Sequence, residues 1–275
     1  MTPALGRLAA GLALSLAVLA AAPAGAQTAE GATAPRRTLS AHEQSEFRGV
    51  GRLDTGDGYC TATLFDERHA LTAAHCVFGA DGRPAPTAGL RFRAGFREGG
   101  EQAVRGVRRV VPHPAWRWQG SHADLESISS DLALLELDQP LLTSTFPSYG
   151  PAAMPPPGAP VLLLSYGRGR DRALSLQDPC HVVERGGGVA RLSCDASPGS
   201  SGSPVLARFG GRLHLVGVVS AAGPLGAYAA DAAAALPALH AAQVTAGPRL
   251  KRVRPGGGSL SARPGAWKAS RPPPE

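Results

Sequence analysis

The sequence predicts an all-β fold, and two observations support this prediction. Glycine and proline are frequent, with 35 and 25 residues in a chain of 275, which favours many turns and few long helices. From about residue 47 onward, short apolar or alternating segments are separated by glycine, proline, aspartate or serine. Such a series of short strands and turn signals is typical of an antiparallel sandwich or barrel.

The first 26 residues have the pattern of a secretory signal peptide. Arg7 precedes an apolar run over residues 8–22, and Ala-Gly-Ala at 24–26 supplies the small residues of a cleavage site. A membrane anchor is the alternative, but this run is too short to span a bilayer comfortably. We therefore predict a secreted or periplasmic protein, with no membrane span once the signal is removed.

The rest of the chain divides into three predicted segments. Residues 27–46 are small and polar and are interpreted as a flexible leader or a short pro-segment. Residues 47–244 form the predicted folded domain. Residues 245–275 are rich in proline, glycine and basic residues and lack the apolar surface to fold, so we predict a disordered tail.

Within the predicted domain, a connector separates two groups of strands. The strand-like segments include FRGVGRL, CTATLF, HALTAAH, LRFRAGF, DLALLEL, PVLLLSYG, HVVE, VARLSC, SPVLAR and LHLVGVVS. The stretch 143–160 interrupts them near the midpoint and is interpreted as a connector between two halves. The Ala-rich segment 230–242 is the best helix candidate, although Pro237 predicts two short pieces or a late start.

Four cysteines remain after the predicted signal peptide. They are Cys60, Cys76, Cys180 and Cys194. An even number of cysteines in an exported chain predicts two disulfides. A zinc site is the alternative, but no pair has the short spacing that is typical of zinc ligands. No metal is therefore expected.

The net charge of +7 does not indicate a nucleic-acid-binding surface. Residues 249–275 hold seven basic residues against one acidic residue, and Arg7 lies in the signal peptide. The remaining 27–248 contain 20 basic and 20 acidic residues. A neutral body with a basic tail is not a basic binding face, so nucleic acid is not an expected partner.

Three segments could together supply a nucleophilic serine site. In GSSGSP, Ser201 stands between Gly199 and Gly202, and such a turn can expose a hydroxyl and direct backbone N–H groups to one point. His75 ends the segment ALTAAH, and Asp131 opens DLALLEL. Taken singly, each also has an ordinary interpretation: a glycine-serine loop, a core histidine at a strand end, or an aspartate at a strand start.

Together these segments resemble the chymotrypsin-like serine peptidases. TAAHC, DLALL and GSSGSP occur in the order histidine, aspartate, serine, which is the chymotrypsin order. The resemblance covers about residues 47–243 and is nearest to secreted bacterial members of the glutamyl-endopeptidase type. It implies two antiparallel six-stranded barrels, an active site in the cleft between them and a short C-terminal helix.

The resemblance also implies roles for individual residues. Ser201 would attack the scissile carbonyl, His75 would take the serine proton and later protonate the leaving amine, and Asp131 would orient the imidazole. The backbone N–H groups of Gly199 and Ser201 would bind the oxyanion. No cofactor is implied, the substrates would be proteins or peptides, and a monomer is expected.

The cysteine spacings agree with this resemblance. The spacing of Cys60 and Cys76 matches a disulfide of the family, which would hold the strand before the histidine. Cys180 and Cys194 are symmetric about the glycine run in ERGGGVA. A hairpin of HVVE and VARLS over that run would pair them across two strands, and this second pairing is a local prediction.

One position departs from the trypsin pattern. Trypsin-like members carry an aspartate directly before the nucleophile, and it pairs with a new N-terminal ammonium after zymogen cleavage. Here that position is Ser200, which cannot form the ion pair. We therefore predict an activity that does not depend on cleavage after Arg48, although residues 48–51 resemble an activation site.

The substrate pocket is the least defined part of the prediction. Asp195 lies six residues before Ser201, where trypsin has its pocket-floor aspartate, and this favours Arg or Lys before the scissile bond. The alternative is that Asp195 only shapes its loop. A glutamate preference would need a cation, and the candidate His214 lies too early in its strand. The predicted pocket wall consists of Val219, Ser220 and Gly223.

The leading hypothesis is a secreted serine endopeptidase that acts through an acyl-enzyme. The alternative is a catalytically silent protein of the same fold that binds a partner. Loss of a triad residue would indicate the second, and all three residues are present. A third hypothesis makes the basic tail a tether to anionic polymers, although such charge runs are usually solvated.

Overall fold

Two antiparallel six-stranded β-barrels form the protein, which confirms the predicted fold class. The structure is a computed structural model that describes residues 33–98, 100–120 and 123–245. The predicted signal peptide and nearly all of the predicted tail lie outside the described residues. Within the described part of the chain, no helix has the length and apolar character needed to cross a membrane.

The N-terminal barrel contains six strands. They are β2 (Val50–Asp54), β3 (Tyr59–Asp66), β4 (His69–Thr72), β5 (Arg91–Ala94), β6 (Ala103–Pro112) and β7 (Ala133–Leu137). Their order is β2-β3-β4-β7-β6-β5, and pairing of β5 with β2 closes the barrel. Since side chains alternate along a strand, one set faces inward. Leu53, Leu64 and Phe92 fill this interior.

The C-terminal barrel also contains six strands. They are β8 (Pro160–Ser165), β9 (Ser175–Gly186), β10 (Val189–Leu192), β11 (Pro204–Phe209), β12 (Arg212–Gly223) and β13 (Gly226–Asp231). Their order is β9-β10-β13-β12-β11-β8, and β9 is long enough to pair with β8 as well and close the barrel. Val182, Leu192 and Val216 lie in its interior.

The N-terminal end of the described chain packs onto the C-terminal barrel, and the C-terminal end packs onto the N-terminal barrel. The strand β1 (Arg37–Thr38) pairs with β9 of the C-terminal barrel. The helix α3 (Ala232–Thr245) reaches the N-terminal barrel, where the Gln243 amide lies 2.8 Å from the His69 ring nitrogen Nε2. Each end therefore ties one barrel to the other.

Residues 33–46 are folded, whereas the sequence predicts a flexible leader over 27–46. Leu39 is buried in the core shared by the two barrels. Ser40 caps the short helix α1 (Ala41–Gln44) through a reciprocal capping box. The small and polar composition concealed this order, because the segment is anchored by contacts with distant residues, such as the hydrogen bond of the buried Gln44 amide to the Phe96 carbonyl at 2.7 Å.

The C-terminal helix is continuous through Pro237, whereas the sequence predicts two pieces or a late start. The helix begins after Asp231, whose carboxylate accepts a hydrogen bond from the backbone N–H of Ala234. Pro237 is exposed and removes one N–H early in the helix. Leu236 and Leu239 are buried, and their packing outweighs the missing hydrogen bond.

Both predicted disulfides are present. Cys60 and Cys76 are joined with a Cα–Cα separation of 6.2 Å, and Cys180 and Cys194 with one of 5.2 Å. The second disulfide lies across the β9–β10 hairpin, as the symmetry about its glycine turn predicts. Two disulfides are typical of proteins from an oxidising compartment.

Candidate active site

His75 lies in a short 3₁₀ turn directly after β4. The turn spans Ala74–Val77, and Ala73 before it is fully buried, so the small residues of TAAHC allow close packing on the barrel. The neighbouring Cys76 is bonded to Cys60 on β3. This disulfide therefore anchors the turn that carries the imidazole.

Asp131 is the buried partner of this imidazole. It directly follows the helix α2 (Leu125–Ser130) and is 4% exposed. Its Oδ2 lies 2.6 Å from His75 Nδ1, and its Oδ1 accepts the backbone N–H of His75 at 2.8 Å. The Ser220 hydroxyl donates a third hydrogen bond to Oδ2 at 2.5 Å. With the proton held on Nδ1 by the carboxylate, Nε2 is the nitrogen left to accept a proton.

Two opposing effects determine the pKa of His75. Burial lowers this pKa, because a buried site disfavours the charged imidazolium. The hydrogen bond and the negative charge of Asp131 raise it, and the net pKa lies above the ordinary histidine value. The imidazole is therefore a stronger base than a free histidine.

Two glycines shape the loop that carries Ser201. Gly199 has φ of 91° and Gly202 has φ of 80°, both in the left-handed region. A Cβ at Gly199 would lie 2.3 Å from the Tyr59 ring, and one at Gly202 would lie 2.1 Å from the Thr61 carbonyl oxygen. Both positions therefore need glycine for backbone conformation and for space.

Thr61 fastens this loop to the body of the protein. Its backbone N–H donates to the Ser201 carbonyl at 2.9 Å. Its hydroxyl donates to the Gly199 carbonyl and accepts the Tyr166 backbone N–H, each at 2.9 Å. The sequence reasoning missed Thr61, whose only signal is a polar residue inside the apolar segment CTATLF.

The Ser201 hydroxyl and two nearby N–H groups have no protein partner. Within the described residues, the hydroxyl makes no hydrogen bond to His75, and the N–H groups of Gly199 and Ser201 donate to no acceptor. Catalytic hydrogen bonds are often absent until substrate binds. Among the described residues, these three groups are thus left without a partner in the folded chain.

The predicted wall residues of the substrate pocket occupy three different places. Ser220 lies in the cleft beside His75, where its hydroxyl donates to the Asp131 carboxylate. Val219 is 1% exposed, and its side chain packs inside the C-terminal barrel. Gly223 pairs with Gly226 at the end of the β12–β13 hairpin. Of the three, Ser220 alone faces the cleft.

Asp195 lies at the base of the Ser201 loop. Its backbone N–H donates to Gln177 Oε1 at 2.8 Å, and its carboxylate accepts from Gln177 Nε2 at 3.4 Å. It is absent from the described residues that line the cleft beside His75. A role for Asp195 in substrate preference stays a prediction.

Aromatic side chains form one wall of the cleft beside His75. Trp116 and Trp118 line this wall, and their ring centroids are 6.3 Å apart in an edge-on contact. Ser220 and Ala221 line the same cleft, as do Arg117 and Gln119. Clefts with apolar walls and a few polar groups are typical of ligand-binding sites.

One cluster of possible metal ligands occurs in the described residues. It brings Cys60, His75 and Cys76 together, with donor atoms within 4.8 Å of one another. Because the two sulfurs form a disulfide, they are not thiolates. The cluster therefore lacks the ligands of a zinc site.

The fold and this site define a chymotrypsin-like β-barrel protein. His75 and Asp131 belong to the N-terminal half, whereas the Ser201 loop and Ser220 belong to the C-terminal barrel. A sequence profile described as "Trypsin-like peptidase domain" matches residues 60–218. The chain belongs to this family of serine peptidases.

Sequence relatives support the same assignment. Serine protease 23 from Homo sapiens is 31% identical over 177 residues, which cover 58% of this chain and 44% of the human protein. Trypsin-1 from Astacus astacus is 27% identical over 192 residues, covering 59% of this chain and 76% of that protein. The chain thus spans less than half the length of the first of these relatives.

A solved structure shows the same fold. It is described as a Glu endopeptidase in complex with MPD, and it aligns with a TM-score of 0.62 at 17% identity. The alignment covers 76% of this chain and 96% of that structure. At this identity the likeness concerns the fold alone, and it agrees with the predicted resemblance to glutamyl endopeptidases.

Proposed function

We propose that the protein is an exported serine endopeptidase that hydrolyses peptide bonds through an acyl-enzyme. The observation that carries this proposal is the buried Asp131 carboxylate, which binds the ring Nδ1 of His75 through one oxygen and the backbone N–H of His75 through the other. An imidazole held in this tautomer can accept a proton through Nε2. The two disulfides and the predicted signal peptide support export.

The proposed reaction begins with attack by the Ser201 hydroxyl on the scissile carbonyl. His75 Nε2 takes the serine proton as the Oγ–carbon bond forms, and the negative charge of Asp131 stabilises the imidazolium. The free N–H groups of Gly199 and Ser201 support binding of the oxyanion, and each such donor contributes about 3–4 kcal/mol in the transition state.

Collapse of the tetrahedral intermediate breaks the peptide bond. The imidazolium of His75 gives its proton to the leaving amine, and an ester to Ser201 remains. Water then attacks this ester, with His75 as the base, and releases the acid product. Both halves of the reaction use the same three side chains and need no cofactor.

The cleft supports a substrate class with apolar side chains near the scissile bond. Trp116 and Trp118 supply the apolar wall beside His75. The Asp195 carboxylate is bound to Gln177 and exposed, so we do not assign a preference for Arg or Lys to it. The name of the structural neighbour suggests cleavage after glutamate as the competing preference.

The decisive experiment combines a peptide-library cleavage profile with two serine variants. Ser201→Ala should abolish cleavage and also labelling by a phosphonate that reacts with activated serines. Ser203→Ala is the matched control, since the Ser203 hydroxyl is buried two residues away and has no partner. Equal activity of the two variants would refute the assignment of Ser201. No cleavage or labelling by the unaltered protein would favour the silent binding protein.

A further inference from the structure

The folded segment before β2 places a cation against the Ser201 loop. Arg36 directly precedes β1, and its side chain turns inward, whereas that of Arg37 is 54% exposed and pairs with Glu43. Neighbouring side chains of an extended segment point to opposite sides, which accounts for this difference. The inward direction brings the Arg36 guanidinium to the C-terminal barrel.

Gly167 marks the point where Arg36 meets the loop. A Cβ placed on Gly167 would lie 3.0 Å from Arg36 Nη1, 2.6 Å from Ser197 Oγ and 3.0 Å from Ser200 Oγ. The guanidinium and the two hydroxyls therefore surround the same small space. Ser200 immediately precedes the proposed nucleophile, so the guanidinium and the loop share the space around Gly167.

The polar groups in this space are shielded from solvent. Arg36 Nε and Nη2 and the Ser197 hydroxyl are buried, and among the described residues they have no hydrogen-bond partner. Burial lowers the pKa of Arg36, and the nearby Asp195 carboxylate opposes this effect. An arginine stays protonated at such a site, so a positive charge is held beneath residues 195–200.

A second contact ties the same segment to the same loop. The side chain of Gln177 is 1% exposed, and its Nε2 donates to the Ala34 carbonyl at 2.9 Å. Its Oε1 accepts the backbone N–H of Asp195 at 2.8 Å. Residues 33–39 and the start of the Ser201 loop are therefore fixed to one another through one buried amide.

We propose that Arg36 is a positioning residue that holds loop 195–201 in the conformation where the Gly199 and Ser201 N–H groups are available to one oxyanion. The inference rests on the proposed peptidase function. Trypsin-like members stabilise this loop with an ammonium and an aspartate, but here the corresponding position is Ser200. A cation from residues 33–39 supplies the charge instead, so this segment belongs to the working enzyme and is not a removable leader.

Three variants of the full-length chain test this proposal. Arg36→Met keeps the apolar length and removes the charge, Arg36→Lys keeps a charge, and Arg37→Met is the control on the exposed neighbour. The measurements are kcat and KM per titrated active site, with amide hydrogen exchange over residues 194–202. Normalising to titrated sites removes any effect of misfolded protein.

If the loop loses its fixed conformation, only a fraction of the molecules has the Gly199 and Ser201 N–H groups in place for the oxyanion at any time. We expect kcat to fall about tenfold or more in Arg36→Met, with KM changed less, because substrate binds with the loop in either state whereas only the state with both N–H groups in place stabilises the oxyanion. Exchange in the loop should become faster. Arg36→Lys should retain most of the activity, and Arg37→Met should match the unaltered protein in both measurements.

The outcomes separate this proposal from the proposed function. Equal kcat and equal loop exchange in Arg36→Met and Arg37→Met would overturn the role of Arg36. That role would also be overturned if Arg36→Lys is as impaired as Arg36→Met, since the charge would then not matter. If the unaltered protein cleaves nothing, the peptidase proposal fails, but hydrogen exchange still reports whether Arg36 orders the loop.

Discussion

Removing one hydroxyl from β3 should loosen the Ser201 loop and destabilise the whole fold. Thr61→Val keeps the shape of the side chain but deletes the hydroxyl that bonds to the Gly199 carbonyl and the Tyr166 N–H. Each buried group left without a partner costs about 1–3 kcal/mol. An unpaired carbonyl oxygen costs less than an unpaired N–H group. We therefore expect a loss of about 2–4 kcal/mol in the free energy of unfolding.

The same strand offers a matched control two residues away. Thr63 is equally buried, but its hydroxyl has no hydrogen-bond partner. Thr63→Val therefore leaves no other group unpaired, and we expect it to change the free energy of unfolding by less than about 0.5 kcal/mol or to be stabilising. The difference between the two variants isolates the hydrogen bonds from the general effect of replacing threonine by valine.

Urea unfolding followed by tryptophan fluorescence measures this difference. The experiment is best done with Ser201→Ala in every sample, because an active peptidase would digest its own unfolded chains. Equal midpoints for Thr61→Val and Thr63→Val would refute the reasoning, since the hydroxyl at Thr61 would then contribute nothing. In the active background, Thr61→Val should also lower kcat, because it releases the loop that carries the proposed oxyanion donors.

Three further predictions follow from the site and the second disulfide. Because the pKa of His75 is raised, kcat/KM should rise with pH about a midpoint above 6.5. The stability from the ionic contact with Asp131 should be fully present below 6.5, the ordinary histidine pKa, and should be lost as the pH increases through the raised pKa. Ser220→Ala should cost about 1.5–3 kcal/mol of stability and lower kcat, because a hydrogen bond to a buried carboxylate is lost. Replacing both Cys180 and Cys194 by serine should cost roughly 3 kcal/mol, measured by thermal unfolding, since the disulfide no longer restricts the unfolded chain.

Each of these predictions has a result that would contradict it. An activity midpoint at or below the ordinary histidine value would show that burial outweighs the charge of Asp131. Unchanged unfolding and kcat in Ser220→Ala would remove that hydroxyl from the support of the site. An unchanged unfolding temperature in the double serine variant would mean that the β9–β10 hairpin is held without its disulfide.

Local patterns made much of the architecture predictable. Short apolar segments with turn residues between them predict strands, and the symmetric placement of Cys180 and Cys194 about a glycine run predicts their hairpin. The motifs around His75 and Asp131 predict two groups of one site, and the structure joins them by hydrogen bonds. Their catalytic roles stay predictions until activity is measured.

The features that the sequence did not reveal depend on contacts between distant segments. Arg36 has no local pattern, because its place behind the Ser201 loop arises only when residues 33–39 pair with β9. Thr61 looks like any threonine in a strand, and its two hydroxyl contacts lie more than 100 residues along the chain. Composition describes a segment by itself and cannot show a partner elsewhere in the fold.

The packing of each chain end on the opposite barrel affects how the protein would respond to cleavage of its backbone. A cut in the connector 143–160 would leave two fragments, but each fragment keeps an end that is packed on the other: β1 on the C-terminal barrel and α3 on the N-terminal barrel. We expect a nicked molecule to remain one particle with its cleft intact. With the proposed peptidase activity, the protein would thereby tolerate cleavage of this proline-rich connector by other copies of itself.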